Sequence, residues 1–162
     1  MYYINYFFFM SIIGHIIEVV FHSNGDSGIL LGYWTPIYGI GAIIILIVNK
    51  YVNKIKLNRF LKILTLFLVS SIILSLIEVW SGYLIKWLFN KDLWNYSNHK
   101  FNIGKYTSLE ISILWGISSI ILIYLLKPFI DKFISKIPKF LSYIFILIFI
   151  IDLIATLIIK AK

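Results

Sequence analysis

Apolar residues run along this chain in five long blocks, separated by short polar or basic joints. A bilayer core of about 30 Å needs about 20 mostly apolar residues in a helix. Five stretches reach that length, at about 4–21, 29–48, 63–84, 109–126 and 140–159. The pattern predicts an all-α, polytopic membrane helix bundle of about five transmembrane helices, a single transmembrane domain over 1–162. The first block starts at once, lacks a charged leader and a small-residue cleavage site, and contains Glu18, so it reads as a retained span rather than a signal peptide.

Two joints depart from the simple pattern. Gly32, Pro36, Gly39 and Gly41 interrupt the second block in GYWTPIYGIGA. Proline removes a backbone donor and crowds the turn before it, which predicts a break near Thr35–Pro36. The glycines also suit close packing of helices in lipid. Between the third and fourth blocks, WLFNKDLWNYSNHKFNIGKY carries Trp87, Trp94, Tyr96, Phe101 and Tyr106. Such a segment suits an interfacial or re-entrant position; a sharper reading makes it a lid over an outward-facing mouth.

Composition agrees with a lipid environment. Hydrophobic residues make up 60% and charged residues 14%, with a mean hydropathy of +0.93, whereas soluble domains carry about 25% charge. The net charge of +8 sits in the joints, which sets topology and gives nucleic acid no basic face to bind. Lys50, Lys54, Lys56, Arg59 and Lys62 lie between the second and third blocks, and Lys127, Lys132, Lys136 and Lys139 between the fourth and fifth. The joint from Ser23 to Gly28 has no basic residue and one acid, Asp26. The positive-inside rule then places the N-terminus in the cytoplasm and the C-terminus outside, although Lys91, Lys100 and Lys105 in the third-to-fourth joint pull the other way. The absence of cysteine excludes disulfides and thiol chemistry.

Two carboxylates stand out. An acid inside a spanning helix costs about 2.5–3.5 kcal/mol on insertion scales, so Glu18 and Glu78 need partners or water. Both fall about three quarters of the way along helices that run outward, at similar depth. Each belongs to a polar stripe at helical spacing: Ser11, His15, Glu18 and His22 in the first block; Ser71, Ser75, Glu78 and Gly82 in the third. Ser108, Ser112, Trp115 and Ser119 form a third stripe. Three such faces would line a polar interior, with Asp152 in the fifth block and Glu110 at the outer start of the fourth adding acids. An acidic site without deep basic residues favours a cationic or proton-coupled ligand; the alternative is carboxylates tied to serines or to Lys86, Lys100 or Lys105. IIGHIIEVVF around Glu18 and IILSLIEVWS around Glu78 share I-E-V, a short echo consistent with a parallel repeat or with chance. His15, Glu18 and His22 have metal-compatible spacing, yet interfacial histidines are common without metal, and no metal or other cofactor is assigned. G-D-S-G at Gly25 to Gly28 imitates a serine-hydrolase string without the strand it needs.

The strings SIIGHIIEVVF, GYWTPIYGIGA, SLIEVWSGYLIKWLF, LWNYSNHKFNIGKY and LWGISSIILIYLLKPF occur in this order. Together they closely resemble the bacterial CmpB-like family, named for type IV ABC-transporter permeases, over about 8–130. The resemblance implies matched positions at Gly14, Glu18, Gly32, Pro36, Tyr38, Gly39, Glu78, Trp94, Tyr96, Ser97, Phe101, Asn102 and Pro128. The family usually has Trp where this chain has His15, and the fifth block lies largely outside the resemblance, so Asp152 inherits no role from it.

The combined expectation is a membrane transport component, a permease-like or substrate-capturing subunit of the bacterial plasma membrane. It would bind a small cationic or amphiphilic solute through Glu18, Glu78, Tyr38, Pro36, Trp94, Tyr96, Trp115 and Asp152. Without a Walker A string the chain does not hydrolyse ATP by that route, which points to a homodimer or a separate energising ATPase subunit as partner. Two alternatives stand beside it: a non-catalytic accessory or assembly subunit whose acids hold helices together, and a membrane-embedded enzyme using paired carboxylates on a lipid-like substrate.

Overall fold

The computed structural model describes residues 1–21 and 28–161. His22, Asp26 and most of the G-D-S-G string fall outside them. The described chain is helical throughout its long elements: α1 (Tyr2–Phe21), α2 (Pro36–Lys54), α3 (Arg59–Phe89), α4 (Leu109–Ile121), α5 (Lys127–Ile134) and α6 (Lys139–Lys160). A single π turn, Leu122–Leu126, joins α4 to α5 without a break, so 109–134 is one span. Five helices are thus long and apolar enough to cross a membrane.

The two largest departures from the expected boundaries lie in the second and fourth spans. The second span begins at Pro36 rather than near residue 29, because proline is suited to the first turn of a helix and 28–35 is held in a non-helical path by other partners. The fourth span passes Leu126 and ends at Ile134. Pro128 cannot supply the usual helical N–H, and the ladder adjusts ahead of it: the Lys127 N–H reaches back five residues to the Leu122 carbonyl.

Helices α1 and α2 form one antiparallel hairpin and α3 and α4 another, with α2 packed on α3 between them. Leu66, Leu74, Ala42, Ile45, Leu46 and Leu122 fill the centre. Two ends emerge. At the basic end, Tyr2 and Tyr6 each donate to Asp131 Oδ1 at 2.7 Å, and Lys127 pairs with the same carboxylate. Buried Ser142 donates to Asn5 at 2.6 Å, tying α6 to α1. At the opposite end lie Glu18, Glu78, the 28–35 segment and the 90–108 loop. Helix α3, with 31 residues, is about 46 Å long at 1.5 Å per residue, so it overruns a bilayer core and carries the loop on its projecting end.

Candidate acidic cavity

The 28–35 segment reaches its position through α6. Asp152, only 8% exposed, accepts from the Leu31 and Gly32 backbone N–H groups at 3.1 and 3.0 Å and from the Trp34 indole at 2.6 Å. One helical turn on, Thr156 also accepts from Leu31, and Lys160 donates to the Ile29 carbonyl at 2.8 Å. The Thr35 N–H binds the Ser11 carbonyl of α1 at 3.0 Å. Backbone that cannot be helical at membrane depth is thereby satisfied by protein.

The 90–108 loop folds back over the bundle. The Asn90 N–H caps α3 on the Lys86 carbonyl from a left-handed conformation. Asp92 gathers the Tyr106 hydroxyl at 2.6 Å, Lys105 at 2.9 Å and Lys86 at 3.2 Å. These partners, Tyr106 first, hold its carboxyl well below the usual carboxylate range, and the same hydrogen bond pushes the Tyr106 phenol up to about 12. The Trp94 indole donates to the Tyr106 carbonyl, and Tyr96 N–H to the Lys105 carbonyl. Gly104, at φ +78°, allows the reversal between Phe101 and Leu109.

What the loop covers is Glu78. This carboxylate is 5% exposed and accepts from Tyr96 at 3.2 Å, Thr107 at 3.1 Å and the Trp115 indole at 3.2 Å. Burial and the nearby Glu78 charge push the Tyr96 phenol up, keeping it a donor. No ion pair reaches Glu78 among the described residues. Glu18 receives the Thr35 hydroxyl at 3.5 Å. Both glutamates line one cavity of about 150 Å³, together with Thr35, Tyr38, Trp94, Tyr96, Trp115, Gly28, Ile37 and Leu93. Tyr38 and Trp115 meet there with ring centroids 6.0 Å apart.

The two hairpins build this cavity with matching parts. Seven residues before each glutamate stands a serine, Ser11 or Ser71, and four before that a phenylalanine, Phe7 or Phe67. Each pair faces a glycine that follows an aromatic residue. A methyl group on Gly39, after Tyr38, would lie 2.3 Å from Ser11 Oγ and against Phe7; one on Gly116, after Trp115, would lie 2.3 Å from Ser71 Oγ and against Phe67. The short I-E-V echo in the sequence is therefore the visible part of a longer correspondence, offset by 60 residues between α1 and α3 and by 77 between α2 and α4.

Of the sequence candidates, Glu18, Glu78, Tyr38, Trp94, Tyr96 and Trp115 meet at this cavity. Pro36 starts α2 beside it without lining it, and Asp152 lies elsewhere, with its oxygens taken by the 31–34 segment. Ser11 and Ser71 turn out to face the packing glycines, while Ser75 and Ser112 bond to each other at 2.7 Å. His15 stacks edge-on against Tyr33. Thr35 and Thr107, whose hydroxyls donate to Glu18 and Glu78, are not among the sequence candidates. Thr35 sits inside the GYWTPIYGIGA string, but Thr107 carries no mark in the sequence.

Comparison with known families now places the chain. The family described as "Putative ABC-transporter type IV" matches residues 5–160. The chain belongs to this family. The match extends beyond the five strings and takes in α6 with Asp152. The protein is thus an ABC-transporter-related, multi-pass component by family and by its five apolar helices. No curated protein and no solved structure matches the chain.

Proposed function

We propose that this protein is a solute-capturing subunit of a bacterial membrane transport system, and that Glu18 and Glu78 bind a small cation between them. The observation that carries the reading is the convergence of two carboxylates, from two separate hairpins, on one aromatic-lined cavity. Carboxylates in a low dielectric stabilise a positive charge strongly, and the faces of Tyr38, Trp94, Tyr96 and Trp115 suit an alkylammonium group. A cavity of about 150 Å³ is smaller than the roughly 300–1,000 Å³ of drug-sized sites, so it fits a compact charged group. In this reading the N-terminus lies in the cytoplasm and the cavity and C-terminus outside, an orientation that the basic joints support, and a separate ATPase subunit supplies the energy.

A second reading has its own support: Tyr96 and Thr107 tie the loop to Glu78, as an assembly subunit with a purely structural acid would. The two separate in one experiment. Purified protein in neutral nanodiscs is heated with tetramethylammonium chloride or with sodium chloride at equal ionic strength. Tetramethylammonium is expected to stabilise the wild type, with apparent affinity falling about ten-fold or more in Glu18→Gln and in Glu78→Gln, a loss of about 1.4 kcal/mol each. Equal stabilisation of all three proteins would leave the structural reading in its place.

A further inference from the structure

The acidic cavity has a greasy neighbour. Gly28, Thr35, Ile37, Leu93 and Trp94 line both it and a second groove of about 420 Å³. The far walls of that groove come from α3, through Trp80, Leu84 and Leu88, and from α6, through Phe149, Leu153 and Leu157. Apart from Thr35 and Ser81, the side chains that line it are apolar or aromatic. The shared wall is the 28–37 segment and the start of the loop, so the two compartments adjoin.

We propose that the ligand is a cationic amphiphile, a long-chain amine or quaternary ammonium compound, with its head between Glu18 and Glu78 and its alkyl chain in this groove. The inference rests on the cation reading of the cavity and extends it to a substrate class. Charge selects the head: a phosphate-bearing lipid would set an anion beside two carboxylates. Volume selects the tail. A packed helix from a second copy, about 10–12 Å across, would fill 420 Å³ with about one turn, too little to seat it, whereas a flexible chain occupies such a space in full. Access fits as well, because the groove lies between helices that face lipid on their outer sides, with Trp80 and Leu153 both exposed. An amphiphile dissolved in the bilayer can therefore slide its tail in sideways while its head moves to the acids.

The test compares a head alone with a head that bears a chain. Binding of tetramethylammonium and of dodecyltrimethylammonium is measured in phosphatidylcholine nanodiscs for wild type, Ser81→Phe and Leu157→Trp, which fill the groove from opposite walls without touching the acidic cavity. Identical nanodiscs make partition into lipid common to all three proteins. Dodecyltrimethylammonium is expected to bind both groove variants about ten-fold or more weakly than wild type, since a bulky ring in the groove clashes with the chain that a head seated on the acids must bring with it. Tetramethylammonium should keep its wild-type affinity within about two-fold. A dodecyl affinity that neither variant changes, or a fall of both probes together, overturns the amphiphile assignment. A wild type indifferent to tetramethylammonium overturns the cation reading beneath it.

Discussion

Gly39→Ala should weaken the folded protein by about 3 kcal/mol or more, at the upper end of what overpacking costs. Its new methyl would meet the Phe7 backbone carbonyl at 2.5 Å and Ser11 Oγ at 2.3 Å, and a backbone atom in the middle of α1 cannot step aside. In the equivalent change in the other hairpin, Gly116→Ala, the nearest atoms all belong to side chains, Ser71 Oγ and the Phe67 ring. These can turn, and the expected cost is about 1–3 kcal/mol. Gly41→Ala supplies the control. Its methyl would sit 3.5 Å from Leu74 and 3.8 Å from Trp115, ordinary contact distances, and alanine favours a helix over glycine by up to about 1 kcal/mol. Unfolding midpoints in a mixed-detergent titration should thus rank Gly41→Ala at or above wild type, then Gly116→Ala, then Gly39→Ala. If all three behaved alike, glycine would be serving α2 and α4 only through its flexibility, and the close approach of the helices would be wrong.

Asp152→Ala is the second large effect. The substitution strips the acceptor from the Gly32 N–H and the Trp34 indole and leaves Leu31 with Thr156 alone. At about 1–3 kcal/mol for each orphaned buried donor, the loss is about 4 kcal/mol. Asp152→Asn keeps one oxygen for the backbone pair but turns an amide N–H₂ or a shared oxygen toward the indole, and should cost roughly half as much. Trp34→Phe removes the indole donor, so the Asp152→Asn and Trp34→Phe changes should be non-additive in a double-mutant cycle, by about 1 kcal/mol. Strict additivity would mean that the indole and the carboxylate do not meet.

Both effects mark where reading the chain from its residues reaches its limit. Hydropathy located all five spans, because lipid solvation imposes a length and a composition that no other environment asks for. It misplaced the start of the second because Ile29, Leu30 and Leu31 are as apolar as any helix residue yet lie outside α2. Hydropathy reports compatibility with lipid, whereas the backbone path there is set by Asp152 and Ser11, which are distant in sequence. The fourth span runs past the expected Leu126 into a joint with Lys127 and Pro128: proline usually stops a helix, but a π turn absorbs the defect.

The acids were legible because charge in a spanning helix is too costly to be incidental. That argument flags Glu18, Glu78 and Asp152 equally and cannot sort them. The partners do: Asp152 accepts from backbone and holds a segment, while Glu78 accepts from the loop and from α4 at the cavity. Thr107 is hidden because a threonine in a polar loop carries no cost that would mark it, and only the fold brings this one to Glu78.

Positions 18 and 78 share one small chamber, which water-borne reagents should reach. The chain has no cysteine, so Glu18→Cys, Glu78→Cys and the double variant can each be reacted with the trimethylammonium-ethyl thiosulfonate reagent and weighed by mass spectrometry. One label is predicted on each single variant and also on the double, because the first trimethylammonium group fills about 150 Å³ and repels a second. Two labels on the double variant, or an inert cysteine at either position, would contradict the account.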